Sequence, residues 1–105
     1  MALFDALLRY KGEGRIRSFD MLGEKKANVR LASGRNVVVY MSTDYIIGGA
    51  EIAEAAEAPR ASYVVYNNWD IVGKSAFEEA RRLGIEVHKF GAFGYRLDEL
   101  NAAKQ

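Results

Sequence analysis

The stretch "RNVVVYMS", from Arg35 to Ser42, constrains the fold more than any other part of the chain. Val37, Val38 and Val39 leave no polar face, so a strand here belongs in the interior of a sheet covered on both sides. The residues before it supply a neighbour: Val29 and Leu31 fall on one face of an alternating run, Asn28 and Arg30 on the other. Between them, "ASG" fits a three-residue hairpin loop with Gly34 in the left-handed region. That loop length fixes a register in which Val29 faces Val37, Asn28 faces Val38 and Lys26 faces Tyr40. A two-residue loop would turn Asn28 to the opposite face.

The rest of the chain reads as elements that cover such a strand. Leu3, Phe4, Leu7 and Leu8 recur at helical spacing until Gly12 and Gly14. "RIRSFDML" reads as a strand whose apolar face shifts between Ile16 and Phe19. A loop from Asp44 leads into an Ala/Glu-rich helix closing at Pro59, and "ASYVVYN" is a second buried strand. "SAFEEARRLG" predicts a helix capped by Ser75, with Glu78 at capping-box spacing and Gly84 as its stop. "IEVHKF" is a last strand, "FGAFGYRL" a turn whose aromatics cap the core or form a self-association surface, and "YRLDELNAAK" a short final helix. The order predicts one α/β domain over residues 1–105, a central mixed sheet flanked by helices in three layers.

Composition removes whole classes of chemistry. There is no cysteine, which excludes disulfides, thiolate zinc sites and cysteine nucleophiles. His88 is the single histidine and, without a second ligand at metal spacing, reads as structural. Fifteen Lys and Arg against 14 Asp and Glu give no global pull toward nucleic acid or membrane, so any such binding needs a local patch. "MALFDALLRYKGEG" reads as an amphipathic helix, not a signal peptide, and no apolar run is long enough to span a bilayer. The expectation is a cytoplasmic protein without a membrane partner.

Two local patterns point to phosphate. "NWDIVGKS" follows a strand and opens a helix, and Gly73-Lys74-Ser75 matches the end of a Walker-type loop. Asn68 stands where that loop needs its first glycine, so the expectation is one phosphate held at Lys74 and Ser75 rather than nucleotide hydrolysis. The meander concentrates Arg15, Arg17, Lys25, Lys26, Arg30 and Arg35, with Tyr10 and Phe19 nearby in sequence. Basic residues beside aromatics suit nucleic acid, with the acidic helix of Glu51, Glu54 and Glu57 facing away. The same charges also serve as solubility and edge protection.

The element order, with "A-x-E-x-A-x-x-x-G-I" matched from Ala76 to Ile85 ahead of a short strand, resembles the Mrr-like branch of the PD-(D/E)xK, or restriction-endonuclease-like, superfamily. The resemblance covers most of the chain as a pattern of elements. It implies a catalytic hairpin at Asn28 to Ser42. There the family places an Asp on the second strand, then a Glu or Gln and a Lys two residues apart on the third, around magnesium. Those positions hold Asn28, Tyr40 and Ser42, which offer an amide, a phenol and a hydroxyl. The resemblance therefore implies a nuclease-like domain without catalysis or a resident metal. Such a domain binds nucleic acid, through Lys26, Arg30, Arg35, Lys74 and Ser75, or assembles within a DNA-handling system as a homodimer or with a protein partner. Two alternatives stand beside it. One is a displaced magnesium-dependent nuclease site at Asp20, Glu24 and Lys26, where Glu24-Lys25-Lys26 repeats the Glu-x-Lys spacing. The other is a protein-interaction module with no nucleic-acid role.

Overall fold

In a computed structural model, which describes residues 1–43 and 46–103, the chain is a mixed five-stranded sheet with helices on both faces. Helix α1 (Leu3–Gly12) leads into an antiparallel meander, β1 (Ile16–Met21), β2 (Lys26–Leu31) and β3 (Asn36–Met41). A short β4 (Ile46–Ile47) and α2 (Gly49–Ala56) follow, then β5 (Tyr63–Tyr66), a short β6 (Ile71–Val72), α3 (Lys74–Leu83), β7 (Glu86–Lys89) and α4 (Phe90–Ala102). The strands lie in the order β1-β2-β3-β5-β7, with β3, β5 and β7 parallel. Asp44 and Tyr45, at the start of the loop predicted after the third strand, lie outside the described residues, as do positions 104 and 105.

The hairpin forms as its loop length dictates. Val29 pairs with Val37, Asn28 with Val38 and Lys26 with Tyr40, and Gly34 has φ 95°. The left-handed turn is closed by Gly34 N–H donating to Leu31 O at 2.8 Å. The shifted face of β1 also has a local cause. The pairing with β2 slips between Ile16 and Ser18, a bulge that returns Phe19 to the apolar side opposite Val29.

The alternation divides the core into two layers. Val29, Leu31, Val37, Val39 and Met41 face α1 and α4 and pack with Leu3, Leu7, Phe93 and Leu97. Tyr40, Val64 and Tyr66 face α2 and α3 and pack with Ile47, Ile52, Ala76 and Ala80. The two crossovers, β3 to β5 and β5 to β7, carry α2 and α3 over the same face. They leave the β1–β2 part of that face uncovered, and Asn28 and Arg30 on it are exposed.

Several sequence expectations are corrected. Ser75 is not the cap of α3. Gly73 is, in extended conformation, and Ser75 lies inside the first turn. The reason is the unpredicted pair of short strands: Ile46 and Ile47 pair parallel with Ile71 and Val72, and Gly73 N–H donates to Ile47 O at 3.1 Å. That pairing fixes where the chain can turn into the helix. The Ala/Glu-rich helix ends at Ala56, ahead of Pro59. The segment "FGAFGYRL" is not a turn but the start of α4. Gly91 and Gly94 do not break it, because Phe93, Leu97 and Leu100 repeat at helical spacing and all are buried. A side chain at Gly94 would run into the Arg15 guanidinium.

The β7 edge is held by charge. Arg96 grips the Glu86 carboxylate with Nε at 2.9 Å and Nη2 at 3.2 Å, and His88 Nε2 approaches it at 2.8 Å. The Arg96 hydrogen bonds, against a smaller opposing effect of burial, hold the Glu86 carboxyl below its usual range. A depressed carboxylate adds stability above the ordinary glutamate range and loses it as pH falls through the lowered value. Glu86→Gln should therefore flatten the acid limb of melting temperature against pH. The effect should be about 1 kcal/mol or less, since the pair is partly exposed. An unchanged limb would mean that another carboxylate sets it. Among the described residues, no helix is long and apolar enough to cross a membrane.

Candidate functional site

The three positions matching the family's catalytic hairpin do not share one environment. Asn28 is exposed on the uncovered part of the sheet, while Tyr40 is 1% exposed and Ser42 is wholly buried. The Tyr40 ring fills the layer under α2 beside Ile47 and Ile52.

The displaced candidates do not converge either. Glu24 and Lys26 line a hollow of about 390 Å³ with Lys25, Tyr40, Glu54 and Glu57, but Asp20 does not reach it. Asp20 pairs with Asn28 further along the meander, in the open. Lys26 has a structural task, because its Nζ donates to the main-chain carbonyls of Glu54 at 3.2 Å and Glu57 at 2.8 Å. These carbonyls lie at the C-terminal end of α2, where a cation is favoured by both hydrogen bonding and the helix dipole. Among the described residues, no three His, Asp or Glu side chains come together as an ion would require. The acidic helix also does not face away from the meander's lysines, since Glu54 and Glu57 border the same hollow as Lys25 and Lys26. Counting those side chains with Glu24, three acids and two bases line it, so it is no basic groove.

The remaining phosphate candidates split between the two ends of the sheet. Arg30 pairs with Asn36 next to Arg35, and Ser18, opposite Arg30, follows Arg17. Arg17 also reaches the hairpin loop at Gly34. Arg17, Arg30 and Arg35 thus crowd the hairpin end of the meander, all exposed. None of the three is in an ion pair with a described residue. Lys74 and Ser75 open α3 at the carboxyl end of β5, and because β3 and β5 run parallel this is the far end of the sheet from the arginines. Asn68 and Trp69 form a tight turn closed by Asp70 N–H donating to Asn67 O at 3.0 Å, and Ile71–Val72 then run extended as β6, so this is not the continuous loop of a Walker-type phosphate site. The aromatic residues expected beside the basic meander turn inward. Tyr10 is buried, stacks on Phe90 at 4.8 Å and donates to Phe90 O, and Phe19 packs edge-on against Phe4 at 5.6 Å.

Comparison with known families, curated proteins and solved structures gives no match. What the chain does must be read from its own surface.

Sequence reasoning missed one feature. The buried polar residues among those described are Ser42, Asn67 and Asp70, and all three follow the carboxyl ends of parallel strands, β3 and β5. That edge is where open α/β sheets hold their ligands. The signal lay in "YVVYNNWD", where an apolar strand runs straight into two amides, an indole and an acid. Its resemblance to a degraded phosphate loop drew attention to Lys74 and Ser75 instead.

Proposed function

We propose that the chain is a non-catalytic domain of the restriction-endonuclease-like kind that binds the phosphate backbone of nucleic acid through the hairpin end of its meander. The observation that carries this reading is the crowding of Arg17, Arg30 and Arg35 at one exposed corner, with no described acid paired to any of them. Three exposed cations at the same end of the sheet, none neutralised by a described acid, offer a local basic patch to a polyanion. The meander followed by parallel crossovers supports the family reading, because that is the element order the family's core requires. The absence of catalysis is supported by what fills the hairpin positions: a buried Tyr40, a buried Ser42 and a neutral Asn28.

The test is fluorescence anisotropy with labelled duplex and single-stranded DNA over a salt series. With three phosphate contacts, the logarithm of affinity should fall with the logarithm of salt at a slope of about −2 to −3. Arg30→Ala and Arg35→Ala should each reduce that slope by about one and weaken binding alike for all sequences. Incubation with magnesium or manganese should leave the DNA intact. No binding at low salt would overturn the reading. Cleavage lost in Glu24→Ala would replace it with the displaced nuclease.

A second reading, association with protein, is favoured by the outer edge of β1. There the exposed Phe4 and Leu8 belong to α1 and the exposed Leu22 follows the end of β1, the edge strand of the sheet among the described residues. Sedimentation across a concentration series distinguishes a homodimer formed there from a monomer.

A further inference from the structure

At the carboxyl end of β5, the loop Asn67–Asp70 and the start of α4 enclose a hollow of about 190 Å³, lined by Arg9, Asn67, Asn68, Trp69, Phe90 and Met1 among others. Its chemistry is specific. Asn67 is only 3% exposed, and its Nδ2 donates to the buried Asp70 carboxylate at 3.1 Å. A carboxylate accepts and does not donate, so this bond fixes which way the amide points. The Nδ2 also reaches Met1 O at 3.5 Å, so the Oδ1 is the end of this lining amide that accepts nothing from the described residues and is left to accept from a ligand. Asn68 is exposed, and its Oδ1 is taken by the Gly91 N–H at 3.3 Å. That leaves its Nδ2 as a donor on the lining residue next in sequence to the acceptor.

Two flat groups and a cation complete the lining. Trp69 is 65% exposed, the most open of the hollow's aromatic rings. Phe90 is pinned by the stacked Tyr10 on one side, with the Arg9 guanidinium 5.5 Å from its ring centre. An adjacent donor and acceptor match the edge of a heterocycle, an exposed indole matches its face, and an exposed arginine matches a phosphate attached to it.

We propose that this hollow takes the base of a nucleotide. The heterocycle lies against Trp69, its edge meets Asn67 and Asn68, and its phosphate meets Arg9. The volume admits one ring system and leaves sugar and phosphate at the mouth. A free mononucleotide and the terminal nucleotide of a strand present this same chemistry. The site stands at the opposite end of the sheet from the arginine corner and does not depend on it.

Trp69 is the only tryptophan, so its emission reports stacking directly. The protein is titrated with AMP, CMP, GMP and UMP, with ribose 5-phosphate and inorganic phosphate as probes lacking a base. At least one nucleotide should quench the emission saturably, and the two probes without a base should not. Arg9→Ala and Asn68→Ala, both at exposed positions, should each weaken that binding at least about fivefold. By calorimetry, Trp69→Phe should retain binding and Trp69→Ala should lose about fivefold to a hundredfold. Quenching by mononucleotides marks a free nucleotide as ligand. Quenching only by short oligonucleotides, indifferent to their internal sequence, marks a strand end. The proposal is overturned by no quenching with either. Quenching that Arg9→Ala and Asn68→Ala leave unchanged, or that Arg30→Ala and Arg35→Ala weaken as much, also overturns it. Salt-steep duplex binding without nucleotide quenching would leave the arginine corner standing and this site refuted.

Discussion

A glutamate at position 40 should leave the chain largely unfolded at room temperature. Tyr40 is 1% exposed, and its ring packs in the apolar layer with Ile47, Ile52 and Val64. Removing a buried aromatic costs about 3–5 kcal/mol. Placing a carboxylate there without a committed partner adds several kcal/mol more, or forces it to take a proton. Together these approach the whole stability of a small domain, about 5–15 kcal/mol. Among the described residues, two cations line the hollow beside this ring, Lys25 and Lys26, and Lys26 already closes the end of α2 through Glu54 O and Glu57 O. Turning it to the new acid would uncap the helix that covers the site. Circular dichroism melts of Tyr40→Glu, with Tyr40→Phe as a nearly isosteric control, make the measurement. A Tyr40→Glu protein melting within a few degrees of the parent would mean that the position tolerates a carboxylate. If magnesium then raised its melting temperature, the hairpin would be a metal site lacking only its ligands.

That prediction bears on what the sequence could and could not disclose. The hairpin register was legible because two local rules agree. Three residues between Leu31 and Arg35, with glycine last, permit one loop type, and the period of two then assigns every face. Which faces are covered was not legible. Asn28 and Tyr40 lie on the same side of the sheet, yet one is in solvent and the other is sealed, because α2 and α3 cross over β3, β5 and β7 and stop short of β2. Helix placement over a sheet is a tertiary outcome that the strand's own pattern does not contain. The cap of α3 failed for a similar reason. Ser75 and Glu78 have the right spacing, but pairing of Ile71–Val72 with Ile46–Ile47 sets the turn at Gly73. Two-residue strands carry no periodicity from which they could be read.

The candidate site shows the same division. The exposed arginines at the hairpin end were legible as charge on a strand pair whose register was known. The Asn67–Asp70 bond was not, since two polar residues three apart in a loop read as solvated until the fold buries them. Their burial is informative because a carboxylate and an amide withdrawn from water cost stability unless they satisfy one another. Here the Asn67 Nδ2 satisfies Asp70, and the same residue lines the hollow. A purely structural loop would be served as well by a serine and a backbone N–H.

The second large effect concerns α4, where glycines concealed a helix. Phe93→Ala should lower stability by about 3–5 kcal/mol. Phe93 is 1% exposed, and its ring lies 5.4 Å from Tyr63, 5.8 Å from Tyr10 and 6.0 Å from His88, centre to centre. One side chain therefore joins α4 to α1, β5 and β7. Alanine is the better helix former, so the loss is all packing and none of it propensity. It should appear as a lower urea midpoint at an unchanged slope. Phe93→Leu, which keeps most of the volume, should lose far less. Tyr95→Ala separates this from a general sensitivity of the segment. Tyr95 is 72% exposed, with the Arg15 guanidinium 5.8 Å from its ring centre, so its loss should be about 1 kcal/mol or less. If Tyr95→Ala proved the costlier of the two, the helix would be docked by its other face. Gly94, which is buried against Tyr10 with the Arg15 guanidinium in the space a side chain would take, would then have to face solvent. Gly94→Leu tests that directly, because the substitution should be severe in the packing described and harmless in the reverse.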